Sequence, residues 1–511
     1  MAENHLTRLH RWQTRVDLAR KLRTDWELAY RIKELELAYL GKQAIEEGSD
    51  QDPVWLNHFF ATLQTQKPAL LPRTTVFQVK PKGGTKPFGT FESKLMEAVL
   101  TSVAQQDDQL FDAASLALTQ AFFRLGVLKM AYDPRFEPNP QADAPPVETF
   151  PGLPTPSPEP EEVLTDEVYR FEWVDARRML LPNEGPNMRT WGWIGEEIET
   201  TLEEAKQDTR FRPGLRRQLT ANTTLDPQTQ PTTKTSEQQD RADELARFTY
   251  VEIWDIREKR HLLWATGQVF DEFLLEEPFP DGVEDHPYAL LRFLPILGPS
   301  PSPWPLPLTY NWLPLQQQYN VLRQMQLNAA KAAARKFLYE PTTFPDEEEL
   351  DKFVSPADMQ GVQVNDMTRP PLMFGEASQN VDVQRNVLVL RDDWRIITGA
   401  SGTRIGEPDA NTATEAVLTE QASALRDTEL RQLVDKWMAH AGKKMLQLIR
   451  QTLTLDLWVQ LRGFSDTEFK EFLQQPAVQQ MLALQMGPEQ VPMFLAALDV
   501  HPTLQQHFRE R

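Results

Sequence analysis

The chain predicts an α+β fold that is mostly α-helical, and three observations predict it. Apolar residues recur at steps of three and four over long windows near the start, in the middle and after residue 412. Short alternating runs rich in Val, Ile, Phe, Tyr and Trp lie between those windows. Proline- and glycine-dense stretches punctuate the two kinds of segment. The 511 residues are long enough for roughly two to four units, each with its own core.

Leu9, Trp12, Val16, Ala19, Leu22, Trp26 and Ala29 make the first amphipathic helix, which Gly41 and Gly48-Ser49-Asp50 should end. A second helix is expected from Trp55 to Leu70, near Pro68 and Pro72, and a strand from Thr74 to Lys80. A third helical stretch spans about Glu92 to Phe123, followed by a strand from Gly126 that ends at Asp133-Pro134. From Pro134 to Glu167 the pattern breaks, with ten prolines by Pro160 and few large apolar groups. Such composition buries too little surface to offset its ordering entropy, so this stretch reads as a flexible insertion between two strands. Val168 to Met179 returns to strand character, and Gln207 to about Arg241 is a second polar stretch. Phe248–Asp255 and His261–Ala265 read as a hairpin around Arg257-Glu258-Lys259-Arg260.

Pro295 to Pro314 reads as a stiff extended connector. Beyond it, Leu315, Tyr319, Leu322, Met325, Ala329, Ala333 and Phe337 stripe a helix over Leu313–Leu338 that holds Arg323, Lys331, Arg335 and Lys336 but no acid. About forty residues of strand and turn character follow. A shorter helix, Gln379–Ile397, places Val383, Val387, Leu390, Trp394 and Ile397 on a heptad-like seam, with Leu388, Val389 and Ile396 off it. The loop Thr398–Asn411 carries Gly399, Gly402 and Gly406. Thr412 and Glu415 have capping-box spacing and open a long helix to about Leu453. Short helices broken by prolines are expected from Phe464 on.

Charge and composition narrow the function. The net charge of −20 argues against a protein that grips nucleic acid through a basic face. It is compatible with a conduit that must not stick to what moves through it. No cysteine is present, which excludes disulfides, zinc–thiolate sites and cysteine nucleophiles. Met1–His5 carries no apolar signal core and no run has membrane-helix length, so an intracellular, membrane-free site of action is expected. Lys82-Gly83-Gly84-Thr85-Lys86 lacks phosphate-loop spacing and reads as a turn. There is no HExxH and no G-x-S-x-G elbow. Asp392-Asp393 and Glu347-Glu348-Glu349 read as solvated or cap-proximal charges. No metal, cofactor or catalytic activity is expected from these residues.

The order of elements from Leu313 on is a helix, a small forty-residue unit, a second helix, a glycine loop and a long helix. Leu315-Gln316-Gln317-Gln318-Tyr319-Asn320-Val321-Leu322-Arg323 carries a glutamine–asparagine pair before an arginine. Ile396-Ile397-Thr398-Gly399, Gly406 and Thr412-Ala413-Thr414-Glu415-Ala416 follow in order. Upstream stand Tyr39-Leu40-Gly41-Lys42-Gln43, the stretch Asn57 to Pro68, and Phe123–Lys129 before Tyr132-Asp133-Pro134. Together these resemble bacteriophage portal proteins, the head-to-tail connectors of tailed double-stranded DNA phages, over about residues 30–455. The proline-rich insertion departs from that family's pattern. The short tail after the long helix departs from those portals that carry an extended helical barrel.

The resemblance implies a portal fold of wing, stem, clip and crown. Residues 1–312 would be the wing, 313–338 and 379–397 the two stem helices, and 339–378 the clip. Residues 398–412 would be the tunnel loop, 413–462 a long wing and crown helix, and 463–511 the C-terminal crown. It implies a homo-oligomeric ring, a dodecamer, at one capsid vertex of the virion, assembled in the host cytoplasm. Its partners would be the major capsid protein, scaffolding protein, terminase and head–tail adaptor proteins, with double-stranded DNA passing through the channel during packaging and ejection. Arg404, Ile405, Glu407 and Asp409 of the loop, with Arg385 and Asp392 of the helix before it, would line the channel. Arg323, Lys331, Arg335 and Lys336 would form a basic stem face. The residues alone leave two other classes open: a virion or scaffold assembly protein without a channel, and an enzyme with a dispersed site.

Overall fold

The computed structural model describes residues 5–42, 56–72, 75–80, 87–105, 108–138, 162–224, 246–268, 270–280, 283–298, 301–332, 336–338, 343–354, 363–365, 372–374, 381–399 and 413–452. Among these, helix outweighs strand by more than two to one, so the chain is α+β with helix predominant. In chain order the helices are α1 (His5–Ala29), α2 (Ile32–Tyr39), α3 (His58–Leu70), α4 (Pro87–Gln105), α5 (Gln109–Ala121), α6 (Leu202–Gln207), α7 (Pro213–Arg216), α8 (Trp312–Ala332), α9 (Glu347–Val354), α10 (Val381–Thr398) and α11 (Ala413–Thr452). The strands are β1 (Gly126–Pro138), β2 (Glu162–Trp173), β3 (Met179–Leu180), β4 (Trp193–Thr201), β5 (Thr223–Thr224), β6 (Ala246–Asp255), β7 (Arg260–Ala265), β8 (Leu275–Pro278), β9 (Tyr288–Leu291), β10 (Leu294–Pro295), β11 (Pro305–Leu306), β12 (Lys336–Leu338) and β13 (Leu372–Phe374). Two compact units result: residues 1–33, 66–310 and 424–511, and residues 34–65 with 311–423. Residues 34–65, expected in the wing, thus group with 311–423.

In the first unit, Leu9, Trp12, Val16 and Ala19 of α1 pack against Trp193, Val251, Ile253, Leu262 and Trp264 of the largest sheet. Trp12 meets Trp193 edge-on at 5.5 Å. Arg20 and Arg23 both pair with Glu197, at 2.7 and 2.8 Å. The helix ends at Ala29, earlier than expected. Arg31 adopts φ 52°, a left-handed conformation that breaks the helix before α2 begins. Gly41, at φ 70°, follows α2 as expected. The single helix expected over Glu92–Phe123 is likewise two, α4 and α5, with Asp108 at φ 53° between them.

The six-stranded sheet runs β3-β4-β6-β7-β8, with β5 also paired to β6. The β6–β7 hairpin forms as expected, turning at 256–259 with Lys259 at φ 50°. A second sheet runs β2-β1-β9. Here the sequence reading needs correction. The β1–β2 ladder does not stop at Pro134 but continues to Pro138 opposite Glu162, with a bulge between Arg135 and Phe136. Only Gly126–Lys129 of β1 also pair with β9, so Pro134 and Pro138 sit where one edge needs no donor. The flexible stretch expected over 134–167 therefore begins and ends in paired strand, and residues 139–161 lie outside the described residues.

Two further expectations fail for physical reasons. Thr75–Lys80 forms no ladder among the described residues. Phe77 is buried against Gly442, where an added Cβ would come within 2.5 Å of its ring, and the Val79 N–H donates to Glu97 Oε2 at 3.0 Å. The Pro295–Pro314 stretch is not extended throughout: β10 and β11 pair with each other, and the Trp304 between them stacks on Trp26 at 5.0 Å. The later part of α11 docks on β9 and its approach, through Trp437 Nε1 to the Ala289 carbonyl at 3.0 Å and Lys444 to Asp285 at 2.6 Å.

In the second unit, α8 ends at Ala332, and Lys336–Leu338, expected as its last turn, is strand β12. β12 pairs antiparallel with β13, Lys336 opposite Phe374. Cross-strand pairing between two short apolar segments, each with one phenylalanine, outweighs the helical spacing of Phe337. α9 between the strands was not anticipated. Its Glu347, Glu348 and Glu349 sit in the first turn, where the helix dipole favours acids, and Lys352 in the last. α10 begins and ends within two residues of expectation and α11 begins at Ala413 as expected, whereas the residues after Thr452 lie outside the described residues. The expected crown at 463–511 lies outside the described residues.

Candidate functional site

The second unit is organised around Trp394. Its ring lies 5.9 Å from Trp312, 5.9 Å from Phe59 and 5.4 Å from His58. Its Nε1 donates to Thr62 Oγ1 at 2.9 Å, so the one polar atom of a buried indole is satisfied. Trp312 opens α8 whereas Trp394 is near the end of α10, so the two helices run antiparallel. The β12–β13 ladder closes their far end.

Gln316 joins the residues that carry the sequence motifs. Its Oε1 accepts from the His58 N–H at 3.1 Å. Its Nε2 donates to the Leu56 carbonyl at 2.7 Å and to Asn320 Oδ1 at 2.8 Å. Asn57 caps α3 by accepting from the Phe60 N–H at 2.9 Å, and its amide donates to the Tyr39 carbonyl at 2.7 Å. The glutamine–asparagine pair and the Asn57 stretch, read separately in the sequence, are thus one hydrogen-bonded junction.

Each helix of the pair also leaves an apolar face uncovered. On α8, Val321 and Met325 are exposed. On α10, Leu388, Val389, Ile396 and Ile397 are between 42% and 66% exposed. At about 100° per residue, Arg385, Val389, Asp392 and Ile396 step by four, three and four along one stripe, roughly opposite Trp394. A lone exposed leucine means nothing, but six large apolar groups on two paired helices form a surface that water does not favour.

The expected site residues are distributed unevenly. Arg385 and Asp392 are exposed on α10, as the seam reading required. Asp392 lies 3.6 Å from Arg395. The seam itself needs one correction: Trp394 is buried and Val387 and Leu390 are half-buried, but Ile397 is exposed. Arg404, Ile405, Glu407 and Asp409 lie outside the described residues. Of the basic stem face, Arg323 is half-buried on α8 and donates to Gln326 Oε1 at 2.9 Å. Lys331 lies on α8, Arg335 lies outside the described residues, and Lys336 lies on β12. The four cations therefore do not share one helix, because the helix gives way to strand before Lys336.

Sequence reasoning missed a buried polar cluster in the first unit. Lys129 of β1 meets Glu196 of β4 at 2.9 Å and Glu252 of β6 at 2.6 Å. The Tyr288 hydroxyl of β9 reaches the same two carboxylates at 2.9 and 2.6 Å. His261 of β7 bridges Glu252 at 3.0 Å and Glu277 of β8 at 2.9 Å, and stacks on Trp254. Burial alone would raise the Glu252 carboxyl, but Lys129 and His261 hold it far below the carboxylate range. Burial likewise opposes charge on Lys129 and His261, and their carboxylate partners reverse this and raise both. Burial, then the two glutamates, push the Tyr288 phenol well up. These groups spend their charge on one another in a largely buried interior, with Glu277 half exposed at its edge, so the cluster ties the two sheets together. The signal was legible: Glu252 alternates with the apolar Phe248, Tyr250 and Trp254 on one strand face.

Among the described residues, no group of three or more His, Asp or Glu is placed to hold a metal ion, and no helix is long and apolar enough to cross a membrane. No protein-family model matches the chain. No curated protein matches it either.

Proposed function

We propose that this chain is a portal-type subunit, a structural protein that closes into a ring with its own copies and forms a channel for double-stranded DNA at one capsid vertex. The observation that carries this reading is the antiparallel pair α8 and α10, which buries one face around Trp394 and leaves Val321, Met325, Leu388, Val389, Ile396 and Ile397 uncovered. A ring subunit contacts a copy on each side through different patches, so its helices need apolar surface beyond what their own unit covers. The element order supports the same reading. A helix, a small strand–helix–strand segment, a returning helix and a 40-residue helix follow one another as the resemblance implies.

On this reading α8 and α10 are the stem and residues 339–378 are the clip, where terminase docks during filling and head–tail adaptor proteins dock later. The capsid protein and scaffolding protein surround the outside. The net charge of −20 suits a conduit along which DNA slides without sticking. The subunit itself hydrolyses nothing. Negative-stain images of the purified chain test this: rings with a central hole wide enough for duplex DNA are expected, and shells, fibres or compact monomers alone contradict it.

A further inference from the structure

In the first unit, the later part of α11 is fastened to one short segment, residues 284–289, that leads into β9. Trp437 Nε1 donates to the Ala289 carbonyl at 3.0 Å. Lys444 Nζ pairs with Asp285 at 2.6 Å and also donates to the His286 carbonyl. Trp437, His440 and Lys444 step by three and four, so they share one stripe of the helix. Lys444 is 4% exposed, so this pair is withdrawn from water. The neighbouring Lys443–Glu284 pair is 60% and 64% exposed and holds the helix only weakly. His286 is buried at the centre of this junction. Nothing in the assembly reading uses it.

The hydrogen bonds fix the protonation state of that imidazole. His286 Nδ1 accepts from the N–H of Tyr288, the first residue of β9, at 3.2 Å. Nδ1 therefore carries no proton, and Nε2 holds the one N–H of the neutral ring. A second proton has only Nδ1 to go to. There it turns an acceptor into a donor facing another donor. It also places a full charge beside the Lys444 ammonium. From α11, Lys444 and His440 both oppose that charge, and with burial they hold the imidazole well below the ordinary histidine value. Asp285 is already committed to Lys444. From β1, Lys129 reaches over the Tyr288 ring but is committed to Glu196 and Glu252. His440 is itself lowered, by burial and by Lys444, more than Asp285 raises it.

We propose that His286 is an acid-sensitive latch between α11 and the start of β9: its protonation breaks the bond to Tyr288 and frees the later part of α11 from residues 284–289. A histidine whose folded pKa is depressed leaves docking unchanged above its free value and weakens docking as pH falls below it. Each pH unit below about 6.5 favours the released helix about tenfold for one proton taken up. The junction lies within one unit, so it stands whether or not copies of the chain form a ring.

Amide hydrogen exchange of the full chain, followed by mass spectrometry from pH 7.5 to 5 and corrected for the intrinsic pH dependence, tests the proposal. Protection of residues 436–450 and 284–290 should hold down to about pH 6.5 and fall about thirtyfold by pH 5. Protection of β6, whose Tyr250, Val251 and Ile253 are buried, should fall much less. His286→Gln keeps an acceptor for the Tyr288 N–H but takes up no proton, so it should flatten most of the fall. No fall, an equal fall in β6, or an equally steep fall in His286→Gln would each overturn the latch. Should that variant not fold, deuterium uptake at the ring carbon of His286 in the unaltered chain decides the matter. Uptake that starts only as residues 436–450 open supports the latch, whereas uptake at pH 7.5 as fast as at the exposed His10 overturns it.

Discussion

Lys129 Nζ lies 2.6 Å from Glu252 Oε2, a full ion pair between two sheets with both side chains mostly withdrawn from water. A buried pair stabilises little over an apolar one, but removing one partner strands the other. Lys129→Met leaves Glu196 and Glu252 facing each other without the ammonium between them. It is expected to cost about 3–5 kcal/mol in urea unfolding. A loss under about 1 kcal/mol would mean that the carboxylates find water or another partner.

His261 makes the same cluster pH-dependent. Its folded pKa is raised above 6.5, because its hydrogen bonds to Glu252 and Glu277 outweigh burial. A raised pKa gives stability that is fully present below the unfolded value and is lost as pH rises through the folded one. Glu252 acts oppositely: its depressed pKa gives stability present above 4.5 and lost as pH falls. His286 is pushed well down by burial, then by Lys444 and His440, so it destabilises on acidification. Urea midpoints from pH 6 to 9, compared between the unaltered chain and His261→Gln, isolate the first effect. The difference between them should shrink steadily above pH 6.5. A constant difference would show that folding leaves the His261 pKa unchanged, and a difference that grows with pH would show that His261 stays neutral in the fold.

The uncovered faces of α8 and α10 predict a separation of assembly from folding. Val389→Asp and Ile396→Asp, both more than half exposed, should abolish assembly while shifting unfolding by no more than about 0.5 kcal/mol. Trp394→Ala, by contrast, empties a buried site and should cost about 3–5 kcal/mol. Size-exclusion profiles beside melting curves check both. Normal assembly of the two Asp variants would remove those residues from any interface.

The loop after α10 and the proline-rich stretch give two further tests. Arg404→Ala and Ile405→Gly should leave ring assembly intact and alter DNA packaging or retention in assembled particles. Unchanged packaging and retention in both variants would take the loop out of the channel. Deleting residues 139–161 should leave assembly unaffected, whereas loss of assembly would make that stretch structural.

Much of this architecture was legible because helical period, capping residues and the β6–β7 hairpin are local. The bounds of α10 and the start of α11 followed from a heptad-like seam and a Thr412–Glu415 spacing. What escaped was non-local or stereochemical. Nothing in the sequence around Arg31 or Asp108 announces a left-handed residue in a helical pattern. The Pro134–Pro138 strand is readable only once β9 is known to stop pairing at Lys129. Phe337 fits a helical stripe, and only Met373 across the ladder makes it a strand residue. His58 was one histidine among eight until α3 and α10 brought it beside Arg391. The Lys129–Glu252 cluster needs six strands from two sheets before its members meet.

The central claim is that copies of this chain close into a ring, and the most direct measurement is the mass of the purified chain in solution, with scaffolding protein supplied where closure needs it. The subunit is 58.8 kDa. A single closed species at a fixed multiple of that mass, twelvefold by resemblance, with a central hole in its images, is the expected result. A monomer at every concentration and salt, with scaffold present, would contradict the account.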